Sequence, residues 1–332
     1  MRNRDRSLEV ETALCAVARA CQATLLVRRQ TLGATASLAK EDKSPVTVAD
    51  FAAQAVVASA LQHAFCDDPL IGEESADALR SESSAAMRRE VVAVVAKALG
   101  TPVSESETLA WLDRGNSKGK AERYWVLDPV DGTKGFLRGG QYAIALALVE
   151  CGEVVAAVLG CPAYEANGMR EPGIMLAATL GHGAFELPLH GADTATRRPL
   201  RRQRIQDGAR LRMCESVESG HTDQGVAAQV VAALGMQGAA LRMDSQAKYA
   251  AVARGDADVY LRLPTRKDYR EKVWDHAAGM LVLQEAGGVV TDVDGKPLDF
   301  SHGVALQKNR GVIASVSSEH GRIVEAVRSA LG

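Results

Sequence analysis

The sequence predicts a layered α+β to α/β sandwich, in which layers of helix alternate with layers of sheet. Three observations carry this. Apolar residues recur at helical spacing in the first hundred or so positions, the period drops to two from Tyr124, and strands and helices alternate beyond an arginine-rich stretch near residues 190–208. With 332 residues, 47% of them hydrophobic and 4% aromatic, the chain is sized for one large domain or two of moderate size. The arginine-rich stretch suggests a division into an N-terminal unit, 1–195, and a C-terminal unit, 196–332.

Leu14, Val17, Cys21 and Leu25 share one side of a helix expected over Leu8–Arg28. A second helix is expected over Val46–Phe65, where Pro45 precedes the start and Thr47 and Asp50 are spaced as a capping box. The polar stretch Ala76–Glu122 offers two more, Met87–Leu99 and Ser104–Asp113, the latter ending at Gly115. Tyr124–Leu127, Tyr142–Val149, Val154–Leu159 and Ile174–Thr179 read as strands, with Cys151-Gly152-Glu153 turning a hairpin.

In the second half the expected strands are Leu211–Glu215, Leu241–Met243, Val259–Leu261 and Val289–Asp292, and the expected helices Gln224–Leu234, Ser245–Ala253 and Trp274–Ala286. Arg197, Arg198, Arg201, Arg202 and Arg204 read as a solvated connector in preference to a phosphate-binding patch. Asp292-Val293-Asp294-Gly295 lacks the other acids of a calcium loop and reads as a hairpin turn.

Lys plus Arg total 39 against 41 for Asp plus Glu, so no global positive field exists to hold a nucleic-acid polymer. The six cysteines, Cys15, Cys21, Cys66, Cys151, Cys161 and Cys214, form no C-x-x-C pair or zinc spacing. We expect buried free thiols and a reducing compartment, the cytoplasm. The charged N-terminus, without an apolar stretch behind it, reads as neither a secretion signal nor a membrane span, and is compatible with prior removal of a transit peptide. Neither G-x-G-x-x-G nor G-x-x-x-x-G-K-[ST] occurs, which disfavours dehydrogenase and P-loop chemistry.

The chemistry concentrates in three acidic segments. Trp125-Val126-Leu127 runs into Asp128-Pro129-Val130-Asp131-Gly132-Thr133, which in isolation is equally well an ordinary type I turn. Ile71-Gly72-Glu73-Glu74-Ser75 is a second apolar strand ending in acids, and Trp274-Asp275-His276-Ala277-Ala278-Gly279 places an acid at a helix start. If these acids converge on one edge of a layered fold, only bound cations make the cluster tolerable. Oxygen ligands alone favour Mg²⁺ or Mn²⁺ over zinc, and a pair of such ions serves in-line phosphoryl hydrolysis. Gly132 and Thr133 would offer backbone N–H groups to the phosphate at a helix start.

These segments resemble the signatures of the lithium-sensitive, magnesium-dependent phosphatases of the inositol monophosphatase superfamily, and the resemblance implies the layered sandwich of the inositol monophosphatase and fructose-1,6-bisphosphatase type. Lys43–Asp50 with Ala52-Ala53-Gln54, Glu215–Ser219 followed by His221, Asp244–Tyr249, Asp258–Pro264 and Tyr269–His276 resemble its 3'(2'),5'-bisphosphate nucleotidase branch, over about residues 8–330. That branch removes the 3'-phosphate of 3'-phosphoadenosine 5'-phosphate to leave AMP.

The resemblance implies two Mg²⁺ ions, the first held by Glu73, Asp128 and the carbonyl of Val130, the second by Asp128, Asp131 and Asp275, with a third, weaker site near Asp50 and Glu73. It assigns the attacking water to Asp50 and Thr133, with Glu73 helping, and the nucleotide to His221, Ser245, Lys248 and Arg262. Duller readings stand beside these: Asp50 as a capping acid, Ser245 as an N-cap, His221 as a loop residue, Lys248 as a solvated helix lysine. Arg262 fits a dull role less well, because it interrupts an apolar run. Ala163–Gly168 departs from the branch's usual Asn-Leu-Pro continuation. Rival functions are an inositol phosphate phosphatase using the same metals and a non-catalytic nucleotide sensor.

Overall fold

The computed structural model describes residues 5–33, 44–166, 169–170, 173–189, 197–202, 211–217, 222–236, 238–266 and 268–332. The N-terminal elements are α1 (Ser7–Gly33), α2 (Ser44–Ala64), β1 (Leu70–Gly72), α3 (Ala85–Leu99), α4 (Glu105–Arg114), β2 (Arg123–Asp131) and α5 (Thr133–Leu137). Then come β3 (Ala143–Glu150), β4 (Glu153–Cys161), the short β5 (Glu165–Ala166) and β6 (Met169–Arg170), β7 (Ile174–Thr179), β8 (Gly183–Pro188) and β9 (Arg198–Leu200). The rest is β10 (Met213–Glu215), α6 (Gln224–Ala233), β11 (Leu241–Arg242), α7 (Ala247–Arg254), β12 (Val259–Arg262), α8 (Ala277–Glu285), β13 (Gly288–Thr291), β14 (Val312–Val316) and α9 (His320–Leu331).

Side-chain alternation sorts these into five layers. Along β2, Trp125 and Leu127 enter the core shared with α1, α2 and α3, while Tyr124 and Val126 enter the core shared with α7 and α8. On β3 the first face carries Ile144, Leu146 and Leu148 and the second only Ala143, Ala145, Ala147 and Val149, and the alanines let α8 approach closely. The strands form a seven-stranded sheet, β1-β2-β3-β4-β7-β8-β9, and a five-stranded one, β11-β10-β12-β14-β13. Helices α7 and α8 fill the space between the sheets, and α6 and α9 cover the outer face of the second.

The order of elements follows the sequence expectation with several corrections. β2 does not stop at Leu127 but continues through Pro129 to Asp131, so the acids lie in the strand and not in a turn. α2 begins at Ser44, which puts Thr47 and Asp50 inside the helix and removes the capping box. Asp275 lies in a single 3-10 turn, Val273–Asp275, ahead of α8. β8, β9, β14 and α9 were unread in the sequence, although Val312–Val316 is apolar but for Ser315 and Ile323, Val324 and Val327 have helical spacing. Asp292–Gly295 is a turn, closed by Gly295 N–H on the Asp292 carbonyl, within a long connection between β13 and β14 rather than a tight hairpin.

The arginine run is solvated only in part: Arg198 and Arg201 are exposed, as expected of a connector, but the described segment is tied into the fold. Arg198 pairs with Glu186 while lying in edge strand β9, Arg197 pairs with Glu11, and Arg202 is buried against Asp258. Asp258 is held from a second side by Arg212, whose backbone N–H donates to it at 2.7 Å and whose Nε donates at 3.0 Å. Arg204 and most of the expected boundary fall outside the described residues.

The cysteines are all free, but only Cys21, Cys161 and Cys214 are buried, whereas Cys15, Cys66 and Cys151 sit on helix, loop and turn surfaces. Cys151 and Gly152 have φ of 50° and 80°, the left-handed pair a tight hairpin requires. α1 is long and apolar enough to cross a membrane, contrary to the sequence reading, yet Ala13, Val17, Ala20 and Cys21 bury its apolar side in the first core.

Candidate active site

A bulge in β2 organises the site. Asp128 pairs with Ala145 and Asp131 with Ala143, so three steps along β2 match two along β3. In a regular strand residues three apart face opposite ways. The extra residue restores parity, and both carboxylates face the middle helix layer, where the Val273–Asp275 turn presents Asp275. β1 runs parallel to β2 with Gly72 opposite Leu127, which carries Glu73 to the side of Asp128.

A cavity of about 310 Å³ opens there. Glu73, Asp128, Val130, Asp131 and Asp275 line it together with Gly132 and Thr133. Ser245, Lys248 and Arg262 line the same cavity, with Arg262 in contact with Asp275 and Ser245 against Gly132. Asp50 is not on this surface. It is buried in α2 behind the acids and senses Glu74 and Glu73 electrostatically. His221 lies outside the described residues.

The acids strain against one another. Withdrawal from water, together with Asp275, Glu74 and Asp131, raises Glu73 to about 8, although its side chain still reaches solvent at the mouth. Burial, reinforced by Glu73, Asp131 and Asp275, holds Asp128 well above the usual carboxylate range. Burial and Asp275 raise Asp131 to about 6, against the opposing pull of Lys248, the Gln246 N–H and Arg262. Asp128 Oδ1 is buried and accepts no hydrogen bond. An unpartnered carboxylate oxygen inside a group of oxygen donors fits a hard divalent cation.

Glu271, Asp275 and His276 offer atoms within 4.8 Å of one another, but this trio is already engaged by neighbouring side chains. Arg262 Nε lies 2.7 Å from Glu271 and its Nη2 donates to Asp275 at 3.1 Å, while His276 sits between Tyr249 (2.8 Å) and Glu271 (3.3 Å). We read it as an ion-pair network that fixes Asp275.

The other residues are equally specific. Lys248 is buried, not solvated: its Nζ reaches the Met243 carbonyl at 3.4 Å and lies over the Tyr260 ring, and burial lowers its pKa. Ser245 has φ of 69° and its Oγ accepts the N–H of Ala247 at 3.1 Å, a local cap ahead of α7. Gly132, at φ 86°, lies against it. A Cβ there would come within 2.9 Å of that of Ser245, so the close approach of the two chain segments needs glycine. Thr133 Oγ1 donates to the Val130 carbonyl at 3.3 Å. Sequence reasoning missed Gln246, Asp244, Ser216 and Tyr269 as lining residues, although each lies in a segment it had singled out.

This layered fold with a buried acidic nest defines a class, and comparison names it. The model of the inositol monophosphatase family matches residues 7–331, and the chain belongs to that family. It is 44% identical to a 3'(2'),5'-bisphosphate nucleotidase of Schizosaccharomyces pombe, covering 96% of this chain and 94% of that one. It is 40% identical to one of Emericella nidulans, covering 90% and 92%. Among solved structures, Mycobacterium tuberculosis SuhB shares the fold with a TM-score of 0.63 at 20% identity, over 99% of each chain. CysQ from Bacteroides thetaiotaomicron does so with a TM-score of 0.60 at 18% identity, over 94% of this chain and 98% of that one. The family is metal-dependent.

Proposed function

We propose that the chain is a Mg²⁺-dependent phosphomonoester hydrolase that removes the 3'-phosphate of 3'-phosphoadenosine 5'-phosphate, giving AMP and phosphate, and that also accepts 3'-phosphoadenosine 5'-phosphosulfate. The observation that carries this is a single cavity lined both by a cation-hungry acid nest and by buried Lys248 and half-buried Arg262, suited to an ester that bears a second phosphate. The likeness to two named bisphosphate nucleotidases over nearly the whole chain supports it.

Glu73, Asp128, the carbonyl of Val130, Asp131 and Asp275 would hold two Mg²⁺, with a third near Asp50 and Glu73. Bound there, the ions supply an activated water and steady the departing 3'-oxygen. The chain does the rest. By the resemblance Asp50, buried behind Glu73, would take up the proton of the water once the ions are in place, and Thr133 Oγ1 would orient that water. The N–H groups of Gly132 and Thr133 bind phosphate oxygens at the start of α5. Lys248, Arg262 and Ser245 would hold the nucleotide from the cavity wall, with His221 joining them by the resemblance alone.

A phosphate-release panel over both nucleotides and inositol 1-phosphate, with Mg²⁺ titrated and Li⁺ as inhibitor, tests the reading. Release from the inositol ester alone would replace it with the sibling activity. Indifference to EDTA with tight nucleotide binding would make the chain a sensor.

A further inference from the structure

We infer that Gln54 and Gln246 are positioning residues for the acid nest, each clamping with its side-chain amide the peptide segment that carries an acid. This rests on the metal-dependent reading above and deepens it.

Gln54 lies one turn beyond Asp50 on α2 and is fully buried. Its Nε2 donates to the Glu74 carbonyl at 2.7 Å and its Oε1 accepts the Glu74 N–H at 3.0 Å. These are the bonds a neighbouring strand would supply, but β1 ends at Gly72, so the amide continues the ladder. Glu73 is thereby held on both sides, since the Gly72 N–H is bound to the Gly115 carbonyl at 2.9 Å. Both glycines make room for the clamp: a Cβ at Gly72 would lie 2.4 Å from Gln54 Oε1, and one at Gly115 2.5 Å from Nε2.

Gln246 does the same in the second half of the chain, and is as deeply buried. Its Nε2 donates to the Trp274 carbonyl at 2.8 Å and its Oε1 accepts the Gly279 N–H at 2.9 Å, so the two bonds straddle Asp275. Its own backbone N–H donates to Asp131 Oδ2 at 2.6 Å. One residue thus ties Asp131 to the turn bearing Asp275. Like charges brought this close push their backbones apart, and a neutral group that both donates and accepts resists that without adding charge.

The test compares Gln54→Met and Gln246→Met with Asn309→Leu. Asn309 is a matched buried amide away from the cavity, donating to Asp292 Oδ2 at 3.0 Å and the Pro297 carbonyl at 2.9 Å and accepting the Asp299 N–H at 2.8 Å. The probe is Mn²⁺, titrated without substrate and followed by the free-ion EPR signal, with melting curves alongside. Each glutamine variant is expected to weaken Mn²⁺ binding by about tenfold or more, the scale for losing a group that orients a metal ligand. Its kcat at saturating Mg²⁺ falls much less. Asn309→Leu lowers the melting temperature and leaves Mn²⁺ affinity alone.

Glutamine variants that bind Mn²⁺ like the parent, or an equal loss of affinity in Asn309→Leu, would overturn the inference. If the Met variants do not fold, Gln54→Asn and Gln246→Asn, which keep a neutral amide but shorten its reach, decide by the same criteria. A parent protein that takes up no Mn²⁺ would instead sink the metal reading itself.

Discussion

The acidic and the basic side chains of the cavity are prepared differently. Glu73, Asp128 and Asp131 are all pushed upward in pKa, and Asp128 Oδ1 has no partner. Arg262 is already engaged by Glu271 and Asp275, and Lys248 by the Met243 carbonyl and the Tyr260 ring. The acids are left unsatisfied for an incoming ligand, while the two cations are satisfied within the fold and serve as frame and binding surface together. The same type of substitution should therefore act mainly on chemistry among the acids and on stability or KM at the cations.

The sharpest way to break this contrast is Asp128→Asn. Phosphate release should fall by about 10²–10³-fold or more, the scale for losing a preorganised electrostatic group, while the metal-free protein melts higher because one repelling carboxylate has gone. A mild loss of rate with a lower melting temperature would contradict it. Arg262→Met should show the reverse balance: it strands Glu271 and Asp275 in a buried site, and denaturant titration should register a loss of about 3–5 kcal/mol. Lys248→Met keeps the side-chain length and removes the charge. KM for 3'-phosphoadenosine 5'-phosphate should rise by about tenfold with kcat largely kept, whereas 3'-AMP, lacking the second phosphate, should be unaffected.

Proton linkage offers a finer test. The folded acids bind protons more tightly than unfolded ones, Glu73 near 8 and Asp131 near 6, so their stabilising contribution is complete below the ordinary carboxylate pKa and is lost as pH rises through those values. The metal-free protein should melt progressively lower from pH 5 to pH 8.5 by about several degrees. With Mg²⁺ the cations compete better as protons leave, so the gap between loaded and metal-free melting curves should widen over the same range. The smallest effect belongs to Cys161→Ala. This thiol is buried in the apolar middle core and raised to about 12 by burial and Asp131, so no nucleophile is lost and activity should stay within about twofold.

Much of the site was legible because acids ending apolar strands are unusual, and two such segments are reinforced by a third acid at a helix start. Placement was less legible. Pro129 argues against strand, so nothing local announces that β2 runs on through a bulge to Asp131. The start of α2 was misjudged because Pro45, tolerated in a first turn, looked like the boundary itself. Gln54 and Gln246 lie in segments that the resemblance singled out, but nothing in the linear sequence marks either as a clamp, since an amide on a helix becomes one only when the fold brings a peptide alongside. Arg262 was legible as an anomaly in an apolar run, but not its partners, Glu271 and Asp275, which follow in a separate segment.

The bulge has a consequence for how this chain can change. Deleting one residue between Asp128 and Asp131 would let β2 and β3 zip together without interruption, giving a more regular ladder. It would also swing one of the two aspartates toward α1 and α2, into apolar packing. A shorter and tidier strand would thus be inert, which makes the length of this four-residue step as constrained as the identity of the acids at its ends.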